Sequence, residues 1–234
     1  MSLDSQEEQR ISQIYRERDA HTNKSIYSGL NPEVQLQKFQ LKRLIAKNLI
    51  SHGITDLSTQ TILDIGCGSG AWLGSLLDWG ASPTNLYGID LVDHRVELAK
   101  SKYPRFQIQK ANASNTAFET GFFDMISLNV VLSSVLSAQI RTSIAQEIER
   151  ILKPQGIVLI YDFVYNNPSN SNVCAIPQKE IERLFPHFVI ESQSLTLAPP
   201  IARRLSRLSM PLSAILEWTL PFLRTHRLYV LKRR

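Results

Sequence analysis

Leu63 to Gly70 read LDIGCGSG, an apolar run that gives way to glycine at three alternate positions. The run TILDIG has the length and composition of a buried strand, and Ala71 to Trp79 behind it predict a short helix. Glycine at 66, 68 and 70 lets the backbone take positive φ and approach a ligand closely. The helix start that follows favours anionic groups. Twenty residues past Gly70, Asp90 closes the next apolar run, LYGID. A carboxylate there can accept hydrogen bonds from both ribose hydroxyls of an adenosine.

Working outward, the same alternation continues. A helix is expected from about His94 to Lys100, a strand at FQIQKA, a strand at FFDMISLNV and a helix from Ala138 to Leu152 with Ile140, Ile144, Ile148 and Ile151 at helical spacing. Gly156 then opens a fifth strand, GIVLIYDF. Strands alternating with helices predict parallel βαβ units. Beyond them come a helix (Gln178 to Phe185), a strand (FVIESQSLTL) and a closing strand, LYVLKRR, with a segment that is helical between its prolines, about 199–224, inserted before it. In front of the glycine loop, residues 1 to 20 read as a polar helix. Pro32 to His52 read as an amphipathic one, started by Asn31-Pro32 and stopped by Gly53. The division expected is a helical lid over 1–55 and an α/β core over 56–234.

Composition bounds the class. The chain has 234 residues, 43% hydrophobic and 20% charged, which suits one soluble α/β domain. Two cysteines, Cys67 and Cys174, argue against a disulfide framework and, with a polar N-terminus lacking an apolar stretch, point to the cytoplasm. Net charge is +5, yet from Pro199 onward eight Lys and Arg face Glu217 alone, so the basic character is local to the tail. A basic tail beside Leu212, Ile215, Leu216 and Trp218 allows peripheral contact with a membrane surface. Arg207, Glu217, Pro211 and Pro221 rule out a membrane span there.

GCGSGA also satisfies the looser dinucleotide pattern, with Ala71 in the last place, which keeps a nicotinamide-dependent oxidoreductase in view. Asp64 decides between them. A phosphate site disfavours a negative charge two residues before the first glycine, whereas a methionine ammonium welcomes it. Taken as an ordered set, LDIGCGSG, GID, ANA (Ala111 to Ala113), FFDMISLNVVL and LKPQGIVLIYDF resemble the class I S-adenosylmethionine-dependent methyltransferases, over about Thr61 to Phe163. The tail, with YDF, NNP, TLAPP and LRTH, resembles a bacterial subgroup of small-molecule methyltransferases. The resemblance implies a Rossmann-like seven-stranded sheet with the last strand antiparallel and helices on both faces. It implies S-adenosyl-L-methionine as cofactor. Asp64 and the backbone of Gly66, Cys67, Gly68 and Gly70 would face its methionine part. Asp90 would hold the ribose, Leu91 pack on the adenine, Asn112 and Ala113 flank its amino group and Asn129 line the methyl. Bland alternatives stand beside these: Asp64 as a tie for the turn, Asn112 as a turn residue, Asn129 as a cap and Cys67 as a small apolar filler.

Methyl transfer needs alignment and exclusion of water, and a hydroxyl acceptor also needs a base. Asp162, at the end of the fifth strand, and His226, before the last, are the candidates. Asn166, Asn167, Asn170 and Asn172 suit turns and also polyol hydroxyls, so the acceptor expected is a small molecule, a hydroxyl of a carbohydrate or lipid-linked glycan. A lipid or quinone acceptor is the rival. No metal set is visible, and nucleic acid is not expected, because Asn129-Val130-Val131-Leu132 lacks the prolines of the nucleobase amino-methyltransferases. From the expected lid, Tyr15, Arg18 and Tyr27 could reach the methionine carboxylate or the substrate, or equally be surface residues.

Overall fold

The computed structural model describes residues 3–21, 30–167, 170–197, 219–220 and 223–234. Tyr27 and residues 201–218 of the basic insertion lie outside them, as does most of the expected helical segment.

Among the described residues, six α-helices and seven strands follow in chain order. Two helices come first, α1 (Leu3–His21) and α2 (Pro32–Ser51). The Asn31 side chain accepts from Glu33 N–H and Pro32 takes the first turn, so α2 starts as its sequence directs. Then come β1 (Ile62–Ile65), α3 (Ala71–Leu76), β2 (Leu86–Asp90), α4 (Asp93–Lys102) and β3 (Gln107–Lys110). They are followed by β4 (Phe123–Asn129), α5 (Ala138–Ile151), β5 (Leu152–Phe163), α6 (Gln178–Leu184), β6 (Phe188–Leu197) and β7 (Arg224–Arg233). One sheet holds all the strands in the order β3-β2-β1-β4-β5-β7-β6. β7 runs antiparallel to both its neighbours, β5 and β6, and the remaining pairs are parallel.

The sheet separates two apolar layers. One gathers Leu63, Ile126, Leu128 and Ile160 with the α5 stripe Ile140, Ile144, Ile148 and Ile151. The other gathers Ile62, Met125, Ile157 and Leu159 with Ile45 and Leu49 of α2 and Leu73 of α3. Period-two alternation therefore fixes which strand residues share a side.

Two strands differ from expectation. β5 starts at Leu152, not Gly156: Leu152 pairs with Phe123, and Ile157 resumes with Met125 after a shift of register. A Cβ at Gly156 would meet Leu152 Cδ1 at 2.7 Å, so the buried Leu152 side chain occupies the space that it would need. β7 starts four residues earlier than LYVLKRR, which puts His226 inside the strand, opposite Phe163 and Leu195. The expectation of His226 ahead of the last strand is corrected by that pairing.

Candidate functional site at the carboxyl ends of the strands

The glycine loop leaves β1 and is held to β2 by its own backbone. Gly66 and Cys67 both donate to Ile89 O, at 2.8 and 3.0 Å. Gly66, Gly68 and Gly70 have φ of 69, 53 and 74°. At Gly66 a Cβ would stand 2.7 Å from Val131 Cγ2, whereas at Gly68 it would meet nothing within 4 Å. Gly66 is thus required by packing and Gly68 faces open space.

Asp90 braces this loop. Its two oxygens accept Gly68 N–H and Val92 N–H, each at 2.9 Å. Ala111 N–H donates to Asp90 O at 3.2 Å, which brings the end of β3 alongside. There Asn112 Oδ1 accepts Ser114 N–H at 2.8 Å, closing a turn, with Ala113 next to it. Leu91 is half-buried. Each carboxylate or amide oxygen has a second lone pair, so neither Asp90 nor Asn112 is saturated by these bonds.

Asp64 is 2% exposed. Ser127, its register partner on β4, donates to Asp64 Oδ1 at 2.8 Å and accepts from Trp72 Nε1 at 3.0 Å. Asn129 Nδ2 lies 3.5 Å from the same oxygen. Burial, with the charge of Asp90 adding to it, pushes the Asp64 carboxyl up to about 7, against the pull of the Ser127 and Asn129 bonds. Cys67 packs on Gly88, and burial, then the Asp64 and Asp90 charges, push its thiol up. A thiol held protonated is no nucleophile, so Cys67 fills space.

The turn after β4 links this loop to α1. Val130 has φ of 58°, a costly conformation for a β-branched residue, and its N–H donates to Tyr161 O at 2.7 Å. Ser133 N–H donates to Asp162 Oδ2 at 3.1 Å. Ser134 O accepts Arg10 Nη2 at 2.6 Å, and the Ser134 hydroxyl meets Tyr15 OH at 2.7 Å. At the other end of α1, Asp19 accepts two bonds from Arg95, at 2.6 and 2.7 Å, and one contact from His94 at 2.8 Å. The Arg95 guanidinium lies 4.5 Å over the Tyr15 ring. Helix α1 therefore spans from the β4 turn to α4. A cavity of about 50 Å³ separates it from the loops, edged by Arg10, Ile14, Tyr15 and Arg18 on one side and Ser134 and Asn172 on the other. Arg10 Nη1 is buried with no hydrogen-bond acceptor among the described residues.

Asp162 and His226 do not converge. In the β5–β7 register Asp162 pairs with Arg227 and Phe163 with His226, so the two side chains leave opposite faces. Asp162 is fully buried, its oxygens accepting Ser133 and Phe163 N–H; burial pushes it up to about 6, and those bonds hold it from rising further. His226 lies between rings, 4.9 Å from Tyr161 and 4.2 Å from Phe163, and burial pushes it down to about 4. The asparagine loop spends side chains on its own shape: Asn166 Oδ1 accepts Ala175 N–H and Asn170 Oδ1 accepts Asn172 N–H. Among the described residues no group of three His, Cys, Asp or Glu is placed to hold a metal.

Sequence reasoning missed Ser127, Trp72, Arg10 and Ser134. Ser127 had a signal: it is a polar residue in an apolar strand, two before Asn129 and so on the same face. Arg10 and Ser134 had none, because their contact joins segments far apart in sequence.

A family profile described as "Methyltransferase domain" matches residues 63–160. The chain is 27% identical over 157 residues to the demethylmenaquinone methyltransferase of Lactococcus lactis, covering 65% of this chain and 58% of that one. It is 31% identical over 106 residues to a ubiquinone/menaquinone biosynthesis C-methyltransferase of Campylobacter jejuni, covering 44% of each. It thus spans about half the length of these relatives. Among solved structures, the geranyl diphosphate C-methyltransferase of Streptomyces coelicolor, crystallised with S-adenosyl-L-homocysteine, superposes with a TM-score of 0.65 at 15% identity, over 97% of this chain and 98% of that one.

Proposed function

We propose that this chain, whose residues 63–160 match a methyltransferase-domain profile, is a class I S-adenosylmethionine-dependent methyltransferase that binds S-adenosyl-L-methionine and transfers its methyl to a small-molecule acceptor, a quinol-type ring. The observation that carries cofactor binding is the glycine loop braced by Asp90, with open space over Gly68 and the buried Asp64 carboxyl behind it. These residues fit the group. A buried carboxyl lifted to about 7 gains most from a cationic partner such as an α-ammonium. The outer lone pairs of Asp90 suit two ribose hydroxyls. Leu91 and the Asn112–Ala113 turn border the adenine side.

Held by Asp64, Asp90 and the glycine loop, the cofactor would supply a methyl already activated on a sulfonium for transfer to the acceptor. This chain's part is to hold and orient. Trp72 and Ser127 fix the Asp64 carboxyl, Asp90 fixes the loop, and α1 closes over the β4 turn to exclude water. Asp162 serves as a positioning residue for that turn, and neutral His226 as part of an aromatic wall with Tyr161 and Phe163.

The quinol-type acceptor rests on the quinone-modifying relatives. A carbohydrate hydroxyl loses support, since its motive was the asparagine loop, two of whose side chains fold the loop itself. A nicotinamide cofactor is disfavoured by Asp64 and by the family match. Calorimetric titration with S-adenosyl-L-homocysteine, with NADH as competitor, tests the cofactor. Methyl transfer to reduced menadione, compared with a glycoside, tests the acceptor. Absence of homocysteine-product binding by folded protein would overturn the first proposal, and turnover of the glycoside alone the second.

A further inference from the structure

We propose that the outward face of α2 docks on an anionic lipid bilayer. This goes beyond the methyl transfer proposed above and does not depend on it. The inner face of α2 is fixed on the sheet by buried Ile45 and Leu49. On the outside, Phe39 and Ile50 each stand 63% exposed. Eleven residues are three turns and about 20°, so the two side chains share one line, about 16 Å apart. Lys42, Arg43 and Lys47 lie within about 70° of that line and the exposed Lys38 about 110° from it. None of these four has an ion-pair partner among the described residues. The single acid of α2, Glu33, is buried in the first turn, and the acid across from the last turn, Glu191, faces His52 at 3.5 Å. Val189 of the edge strand β6, 54% exposed and in register with Lys232, continues the same composition on the sheet face that α2 covers.

Acids three or four residues from these lysines would pair with them on a solvated face, and α2 has none at those positions. A second copy of the chain would set cations against cations. A nucleic acid rewards the cations but gives Ile50 nothing. A bilayer with acidic headgroups rewards both, the cations at the headgroups and the two apolar side chains at the acyl boundary.

The test is co-sedimentation of the full chain with phosphatidylcholine vesicles, with and without phosphatidylglycerol at about a quarter of the lipid. The wild type should pellet with the anionic vesicles and be released by salt. Lys38→Glu with Lys47→Glu should lower partitioning at least about tenfold. Phe39→Ser with Ile50→Ser should lower it several-fold, with circular dichroism and S-adenosyl-L-homocysteine binding unchanged in both pairs. Failure of the wild type to pellet overturns the proposal. So does pelleting that neither pair alters, which would assign binding elsewhere, as in residues 201–218. Sensitivity to the charge pair alone, with equal competition by heparin, would make the face a polyanion patch and also overturn it.

Discussion

Exchanging Asp64 for Asn should make the ligand-free protein more stable and the cofactor site weaker. Burial, helped by the Asp90 charge, lifts this carboxyl from 3.8 to about 7, although Ser127 and Asn129 pull the other way. A carboxyl whose folded pKa lies above its unfolded value holds its proton more tightly when folded. Its contribution is therefore intact below the unfolded value and is lost as pH rises through the folded one. Above neutral pH the protein carries a buried charge at a cost of about 4 kcal/mol, roughly three pKa units at about 1.4 kcal/mol each. Asn matches Asp in shape, still accepts from Ser127 and has no charge to bury. The stability gap between variant and wild type should widen by about 2.5 kcal/mol between about pH 5 and about pH 8. Asp162, lifted to about 6, titrates in both proteins and cancels in the difference. Urea unfolding of both proteins at the two pH values measures the gap, and calorimetry with S-adenosyl-L-homocysteine at the higher pH should show binding weakened at least about tenfold. A gap that does not change with pH, or undiminished affinity in the variant, would refute the assignment of Asp64 as a carboxylate strained for an ammonium.

Asp90→Ala removes the acceptor of two backbone N–H groups as well as the proposed ribose contact; calorimetry should show homocysteine-product binding down by about a hundredfold and urea unfolding a loss of about 1–3 kcal/mol. Gly68→Ala and Gly53→Ala both place a side chain at positive φ with nothing within 4 Å, so both should lose about 1–2 kcal/mol. Cofactor binding should vanish in Gly68→Ala and persist in Gly53→Ala. Asp162→Asn sets an amide against Ser133 N–H or Phe163 N–H and should raise KM for S-adenosyl-L-methionine with little change in kcat; a kcat down by about a thousandfold at full cofactor affinity would make Asp162 a base after all.

Wherever one residue type can satisfy a local geometry, the fold was legible. Gly66, Gly68 and Gly70 marked the positive-φ turn, and Asn31-Pro32 marked a helix start. The isoleucines of α5 showed its buried side, and β1, β2 and β4 stood out because a central parallel strand is a mostly apolar run. The extent of β5 and β7 was not legible. Lys153, Pro154 and Gln155 read as loop residues, yet pairing with Phe123 reaches back to Leu152. His226 reads as a loop residue until β6 and β7 pair through it. For the site, sequence gave neighbours along the chain, Asp64 with its glycines and Asp90 after β2. It did not give partners across the sheet. That Asp162 and His226 lie on opposite faces follows from a register that a single strand does not contain.

The segment from Val130 to Leu136 ties α1 to the glycine loop. On one side Val131 presses on Gly66 so closely that only glycine fits. On the other, Ser134 holds Arg10 and Tyr15, and Leu136 N–H donates to Glu7 at 2.6 Å. Between them Val130 sits at φ 58°, a conformation costing about 1–3 kcal/mol for a β-branched residue. It persists because its ends are pinned, by Tyr161 O at Val130 and by Asp162 at Ser133. A segment held by three separate elements, the glycine loop, α1 and β5, cannot shift at one end alone. Docking of α1 on Ser134 therefore bears on the position of Val131 against the glycine loop, and occupancy of that loop bears in turn on how firmly α1 is held. On the proposed reading Asp162 positions this segment through Ser133, which would account for a fully buried carboxyl at the end of β5 that lies on the face opposite Asp64.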